Sequence, residues 1–277
     1  FPVVAVLMLS SLPPAAGVAT VSEYPLASPY TYPRDITTGT DGNLWFTEPA
    51  AHKVARMTPA GVITEFTLPS NVRRVPGSIT SGPDGRLWFS VRRSFVGAMT
   101  TAGVFTEYHL PRDGMVGELT AGPDGNVWFT QPGANRVGRI QPDGSARLFD
   151  LPHASSYPGG IAAGSDGNLW FTLSRRGMIA RISTTGTYKE FQIPGSRYVR
   201  PYHIASGPDG NLWFTESYDG IVGRITTTGV ITEYSLNAPN AYLGDIAAGP
   251  LGSIWVSQSD DYWYSNNSDT ILQLTPA

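Results

Sequence analysis

A short apolar run followed by a polar turn recurs along the chain at a nearly constant interval. The segment Ile36-Thr-Thr-Gly-Thr-Asp-Gly-Asn-Leu-Trp-Phe-Thr-Glu48 returns five times. Its tryptophans are Trp45, Trp88, Trp128, Trp170, Trp213 and Trp255, spaced 43, 40, 42, 43 and 42 residues apart. Self-similarity at one period is a stronger fold signal than any local propensity, because each unit must bury the same face against its neighbours.

Each copy reads as four short strands, A to D. Strand A is small and apolar: Ile36-Thr-Thr-Gly, Ile79-Thr-Ser-Gly, Leu119-Thr-Ala-Gly, Ile161-Ala-Ala-Gly, Ile204-Ala-Ser-Gly and Ile246-Ala-Ala-Gly. A Pro-Asp-Gly-Asn type turn follows, as at Pro83 to Arg86 and Pro208 to Asn211. There Pro presets φ, Asp bonds its own backbone and Gly takes the positive φ. Strand B is Leu-Trp-Phe-Thr, strand C is Val137-Gly-Arg-Ile140 or Val222-Gly-Arg-Ile225, and strand D is Ile63-Thr-Glu-Phe66 or Ile231-Thr-Glu-Tyr234.

Four antiparallel strands in a period of about 42 residues define a propeller blade. Small side chains suit strand A, which converges on the central axis. The strand-B indole packs between blades and buries on the order of 200 Å². The sixth copy stops after strand C, whereas Val21-Ser-Glu-Tyr-Pro-Leu26 at the front matches Ile63-Thr-Glu-Phe-Thr-Leu68. The fold expected is therefore all-β: a six-bladed propeller over residues 20–277, its last blade closed by the N-terminal strand so that no open array edge remains.

Composition refines this picture. Gly (31) and Pro (23) suit many short strands and tight turns. A net charge of −3, with no long run of like charge, gives no general attraction for nucleic acid. Lysine occurs only at Lys53 and Lys189, so positive charge is mostly arginine. The absence of cysteine removes disulfides, thiolate metal sites and cysteine nucleophiles.

Residues 1–19 stand apart. Val3-Val4-Ala5-Val6-Leu7-Met8-Leu9 is apolar and is followed by Ser, Pro and Ala. This reads as the back end of a signal peptide, pointing to a secreted or cell-surface protein. It is too short for a transmembrane helix, which needs about 20 residues. The competing reading is an ordered apolar arm that packs on a neighbouring subunit and supports self-assembly.

In this architecture the D-to-A and B-to-C connections surround one mouth of the central channel. Aligning the repeats places Asp35, Ser78, Glu118, Gly160, His203 and Asp245 just before strand A, with Arg34 and Tyr202 among the residues one position earlier. Three positions after each tryptophan lie Glu48, Val91, Gln131, Leu173, Glu216 and Gln258. Asp35, Glu118, His203 and Asp245 depart from a small-residue background. Ringed around one axis, they suit ligand hydrogen bonding or a hard divalent cation; alternatively they satisfy backbone groups and water. Arg34 and Tyr202 join this candidate site, with Glu48 and Glu216 behind it.

Loop arginines (Arg73, Arg74, Arg92, Arg93, Arg175, Arg176, with Arg197 and Arg200 nearby) and acids in blades five and six (Asp219, Asp245, Asp260, Asp261) polarise the same face. That suits an anionic ligand group, or is ordinary solvated charge. The loop Asp261-Tyr-Trp263-Tyr-Ser-Asn-Asn267 offers aromatic rings, Trp263 above all, for stacking on a glycan or a partner. No phosphate loop, His-Glu-x-x-His pattern or nucleophile elbow is present.

The repeated Gly-Pro-Asp-Gly-Asn-Leu-Trp-Phe-Thr-Glu, then Val-Gly-Arg-Ile, then Ile-Thr-Glu-Tyr, resembles the virginiamycin B lyase (streptogramin lyase) family over nearly the whole chain from about residue 20. The resemblance implies a propeller carbon–oxygen lyase that opens a cyclic depsipeptide by Mg²⁺-assisted elimination. The family's characterised enzymes have seven blades, and this chain supplies six. The family's Arg-Pro-His-Ala-Ile appears here as Arg200-Pro201-Tyr202-His203-Ile204, with the histidine shifted by one. Its Glu-Pro-His-Gly-Ile, which supplies a metal-binding Glu and the general base, is here Tyr242-Leu243-Gly244-Asp245-Ile246. A further family Glu is replaced within Ser257-Gln258-Ser259.

These residues lead to an exported propeller that binds a small molecule, glycan or protein at its channel mouth without lyase chemistry. A divergent metal-dependent lyase, with His203 and Tyr202 as its catalytic pair, is the alternative. A surface-assembly subunit that uses the apolar arm is a third.

Overall fold

The computed structural model describes residues 23–27, 30–69, 75–91, 93–195, 199–217, 220–236, 242–259 and 270–275, with the backbone of 3–5. It is an all-β, six-bladed propeller of four-stranded antiparallel blades. Helix among the described residues is confined to single turns at Pro132–Ala134 and Pro250–Gly252. None is long and apolar enough to cross a membrane.

Blade one runs Ile36–Thr38, Leu44–Glu48, Lys53–Met57 and Ile63–Thr67, in that order from the axis outward. Blades two to five repeat this order, starting at Pro76, Leu119, Pro158 and Pro201. In blades two, four, five and six the A–B register shifts between the entry residue and the apolar residue that follows, as between Pro201 and Ile204. Those irregularities lie at the channel mouth, where a bulge redirects side chains.

The strand-B indole organises each blade. Trp45, Trp88, Trp128, Trp170 and Trp213 are at most 1% exposed, so each N–H needs a protein acceptor. The turn aspartate provides it: Asp41, Asp84, Asp124, Asp166 and Asp209 accept at 2.9–3.1 Å. At Asp209, burial opposes ionisation, but bonds from Asn211, Trp213 and Arg224 outweigh it and hold the carboxyl at about 2. In blade six Leu251 takes the aspartate position, and Trp255 donates instead to Ser253 Oγ at 2.9 Å.

The hydroxyl two residues after the tryptophan ties blades together. Thr215 Oγ1 accepts the His203 N–H at 3.3 Å and donates to the Gly244 carbonyl of the next blade at 3.1 Å. Thr130 does the same for Glu118 and Gly159, at 3.2 and 2.9 Å. Thr47 and Thr172 donate to the carbonyls of Gly77 and Tyr202, at 2.8 and 2.9 Å.

Closure by the N-terminal strand takes a different form from the one expected. Glu23–Pro25 pairs with Val3–Ala5, and among the described residues the sheet of blade six has three strands: Tyr242–Ala248, Ile254–Ser259 and Thr270–Leu274. Tyr24 nevertheless occupies the niche at Gly61 that Phe66 occupies at Gly103 one blade on. Pro25 has no N–H to give a ladder, which disfavours the full pairing that strand D makes elsewhere.

Replacing the fully buried Thr215 with valine keeps its shape but leaves one N–H and one carbonyl unpaired. Thr215→Val is expected to lower unfolding stability by about 1–3 kcal/mol, measured by urea denaturation against an exposed Thr228→Val control.

Candidate functional site

Side chains from blades one, three, five and six converge at the channel mouth. His203 Nδ1 lies 2.8 Å from Glu118 Oε1 and 3.4 Å from Asp245 Oδ1. The contact with Glu118 spans blade four, and Gly160 permits it. A Cβ at Gly160 would lie 2.9 Å from His203 Cα, Ile204 N and the Tyr202 carbonyl oxygen. Any larger residue would push the two blades apart. Tyr202, on the rim and 41% exposed, sets its ring edge-on to His203 at 4.4 Å and lies 6.5 Å from the Tyr242 ring.

The four aligned polar residues do not play one role. Asp35 commits one oxygen to its neighbour's N–H at Ile36 and the other to Ile79 N–H of blade two, each at 2.8 Å. Ser78 repeats that bridge from blade two to Leu119 at 3.3 Å. Asp35 thus serves backbone groups, while Glu118, His203 and Asp245 face one another. Asp245 Oδ1 also accepts the Ile246 N–H at 2.8 Å.

Burial raises the Asp35 carboxyl to about 6, with Asp245 and Glu118 adding to the effect against the Ile79 and Ser78 bonds. Partial desolvation and the Glu118 charge raise Asp245, whose carboxyl stays largely exposed, with the His203 charge pulling the other way. At His203 burial disfavours the charged ring, but Glu118, Asp245 and Asp35 together overcome it and lift the pKa to about 9. The imidazole is therefore a cation at neutral pH.

The remaining aligned residues are placed differently. Glu48 and Glu216 are fully buried at the ends of their B strands and do not open onto the mouth. Burial and Glu65 raise Glu48, moderated by Thr31 and Lys53. Arg34 is exposed on the rim. Arg175 lies over the Tyr157 ring at 4.5 Å and Arg176 reaches Glu190 at 3.3 Å, so both serve local contacts. Trp263, Asp219, Asp260, Asp261, Arg73, Arg74, Arg92 and Arg197 lie outside the described residues.

Sequence reasoning missed three features. Gly160 reads as background in its column, and only its neighbours reveal the close approach. Tyr242 stands two positions before Gly244, too early for the aligned columns. A groove of about 550 Å³ is lined by Arg93 and Ser94 from a B-to-C loop and by Asp113, Gly114 and Met115 from the next D-to-A connection. The adjacency of those two loops was the available signal.

No group of three or more histidine or carboxylate side chains among the described residues is arranged to hold a metal ion. The hydrogen bonds explain this: Asp35 spends both oxygens on backbone donors, and Glu118 is paired with His203. The described residues of this cluster do not fit the Mg²⁺ that the resemblance implies.

The class defined by these sheets is the all-β propeller, here with an ion-paired polar cluster at the channel mouth. More specifically, the chain belongs to the virginiamycin B lyase family, whose model matches residues 14–262. It is 35% identical to virginiamycin B lyase from Staphylococcus aureus, covering 91% of this chain and 86% of that one with a TM-score of 0.80. A streptogramin B lyase structure matches at 35% identity over 92% and 87% of the two chains, with a TM-score of 0.81. A further similar structure is a catalytically inactive histidine-to-alanine variant of the Staphylococcus aureus enzyme with quinupristin, at 35% identity over 90% and 86% of the chains and a TM-score of 0.80. Among curated proteins no relative matches.

Raising pH should weaken the fold through His203. The folded state holds that proton more tightly than the unfolded state, so the stabilisation is complete below about 6.5 and lost as pH rises through about 9. Denaturant unfolding at pH 6 and pH 9 is expected to show lower stability at the higher pH. His203→Gln should flatten that difference, and Glu118→Gln should bring the imidazole titration seen by NMR down from about 9.

Proposed function

We propose that this chain is an exported propeller that captures a ligand at its channel mouth by hydrogen bonding and ion pairing, without eliminating across a bond. One observation carries the reading: His203 Nδ1 lies 2.8 Å from Glu118 Oε1 and 3.4 Å from Asp245 Oδ1, an arrangement that favours the protonated ring. A general base must be unprotonated and within reach of the proton it removes, and His203 arrives already loaded. Gly244 stands where the resemblance places the family's base, and a shared fold does not carry the chemistry without its site. Tyr202 and Tyr242 offer ring faces beside the charged cluster, and Arg34 adds a rim cation. The apolar Val3–Leu9 run supports export.

Family membership and 35% identity to two lyase structures favour a second reading, a divergent lyase. In that case an incoming substrate displaces Glu118, freeing His203 to act as base with Tyr202 beside it. Incubation with quinupristin and Mg²⁺, followed by chromatography, separates the two, because elimination opens the ring and shifts retention without changing mass. The expected result is unaltered depsipeptide. A linearised product that disappears in His203→Ala would overturn the binding reading. Glycan and peptide arrays should then identify the ligand, with capture reduced in Tyr202→Ala.

A further inference from the structure

We propose that the groove between blades two and three is a separate ligand site that holds a zwitterionic ligand of dipeptide size. Its carboxylate would meet Arg93, its ammonium Asp113, and an apolar side chain Met115. Neither Glu118 nor His203 lines this groove, so the inference does not rest on capture at the mouth. Its two charges share the groove without pairing with each other. Arg93 is exposed and makes no ion pair or ring contact among the described residues. Arg175, which follows its strand-B tryptophan by five residues as Arg93 does, is instead covered by the Tyr157 ring at 4.5 Å.

The wall that bears Asp113 is fastened from behind. Ser94, 2% exposed, donates its hydroxyl to Asp113 Oδ1 at 2.8 Å and accepts the Gly114 N–H at 3.1 Å. Arg136 Nη2 donates to the Asp113 carbonyl at 2.7 Å, and Gln131 Nε2 to the Gly114 carbonyl at 2.8 Å. Arg136 and Gln131 are themselves buried, and each leaves one buried polar atom, Nη1 and Oε1, without a hydrogen bond. Orphaned groups of that kind are costly, so this connection is held in place at the expense of stability. Charge selects the occupant. A purely anionic ligand would face Asp113 and a purely cationic one Arg93, whereas a zwitterion satisfies both. The volume of about 550 Å³ falls within the usual range of small-molecule sites, and the exposed, flexible Met115 adapts to varied side chains.

Isothermal titration of the full chain with alanyl-leucine tests this. Saturable one-to-one binding is expected at millimolar peptide or below. N-acetylation or C-amidation of the peptide should each weaken it by about tenfold or more, since each removes one charge-assisted hydrogen bond. Arg93→Gln should weaken the parent peptide to a similar degree without further weakening the amide, and Asp113→Asn should do the same with respect to the acetylated form. Arg175→Gln, the same change at the matching position of blade four, should leave affinity unaltered. Absence of binding would overturn the proposal, as would binding that neither cap weakens or that survives Arg93→Gln. None of these outcomes bears on the mouth, where capture is read through Tyr202→Ala.

Discussion

A single hydroxyl per blade carries much of the architecture. The strand-B threonine or serine lies one turn of the pleat beyond a sealed tryptophan, so it cannot reach water and must be satisfied within the protein. In blades two, three, five and six it accepts the N–H of the channel residue of its own blade, and in blades one, three, four and five it donates to a carbonyl of the next. The same atom therefore fixes the angle between blades and the point where each channel side chain leaves the backbone. Buried polar pairs of this kind gain little net energy when made, yet are costly when half-broken, which suits a joint meant to be rigid.

The site inherits its geometry from that joint. Glu118 and His203 are 85 residues apart and two blades removed, yet meet at 2.8 Å because Gly160 lets blade five come close to blade four. Once together, they decide each other's charge. Burial lowers the His203 pKa, and three carboxylates outweigh it. An alignment column of Asp, Ser, Glu, Gly, His and Asp thus becomes two different things. Asp35 and Ser78 fasten strands A of neighbouring blades, and Glu118, His203 and Asp245 form a charged cluster.

Much of the scaffold was legible in the sequence because a repeat states the same constraint six times. The strand order, the turns and the sealed tryptophans all follow from the period, and so does the convergence of the entry residues. What remained illegible depends on single departures. That Asp35 is a fastener and Glu118 a partner turns on which backbone N–H lies nearby, and spacing does not encode that. Glu48 and Glu216 align as neighbours of the mouth, but the strand end that bears them is buried. The N-terminal strand has the pattern of a fourth blade strand and finds the Gly61 niche, yet its hydrogen bonds go to Val3–Ala5.

The site reaches the junction between blades six and one. Asp35 and Arg34 enter blade one, Asp245 enters blade six, and between them lies the one interface whose tryptophan is not sealed. Five interfaces carry a sealed indole bonded to an aspartate, and in four of them a threonine hydroxyl bonds across to the next blade, whereas at this one the indole donates to a serine. Local stability follows buried apolar contact, so the two halves of the mouth that straddle this junction are the least firmly fixed relative to each other. The pair on its far side, Glu118 and His203, belongs to the most tightly tied blades. Under the proposed binding function, a ligand at the mouth would meet a preset ion pair on one side and the less firmly sealed junction on the other.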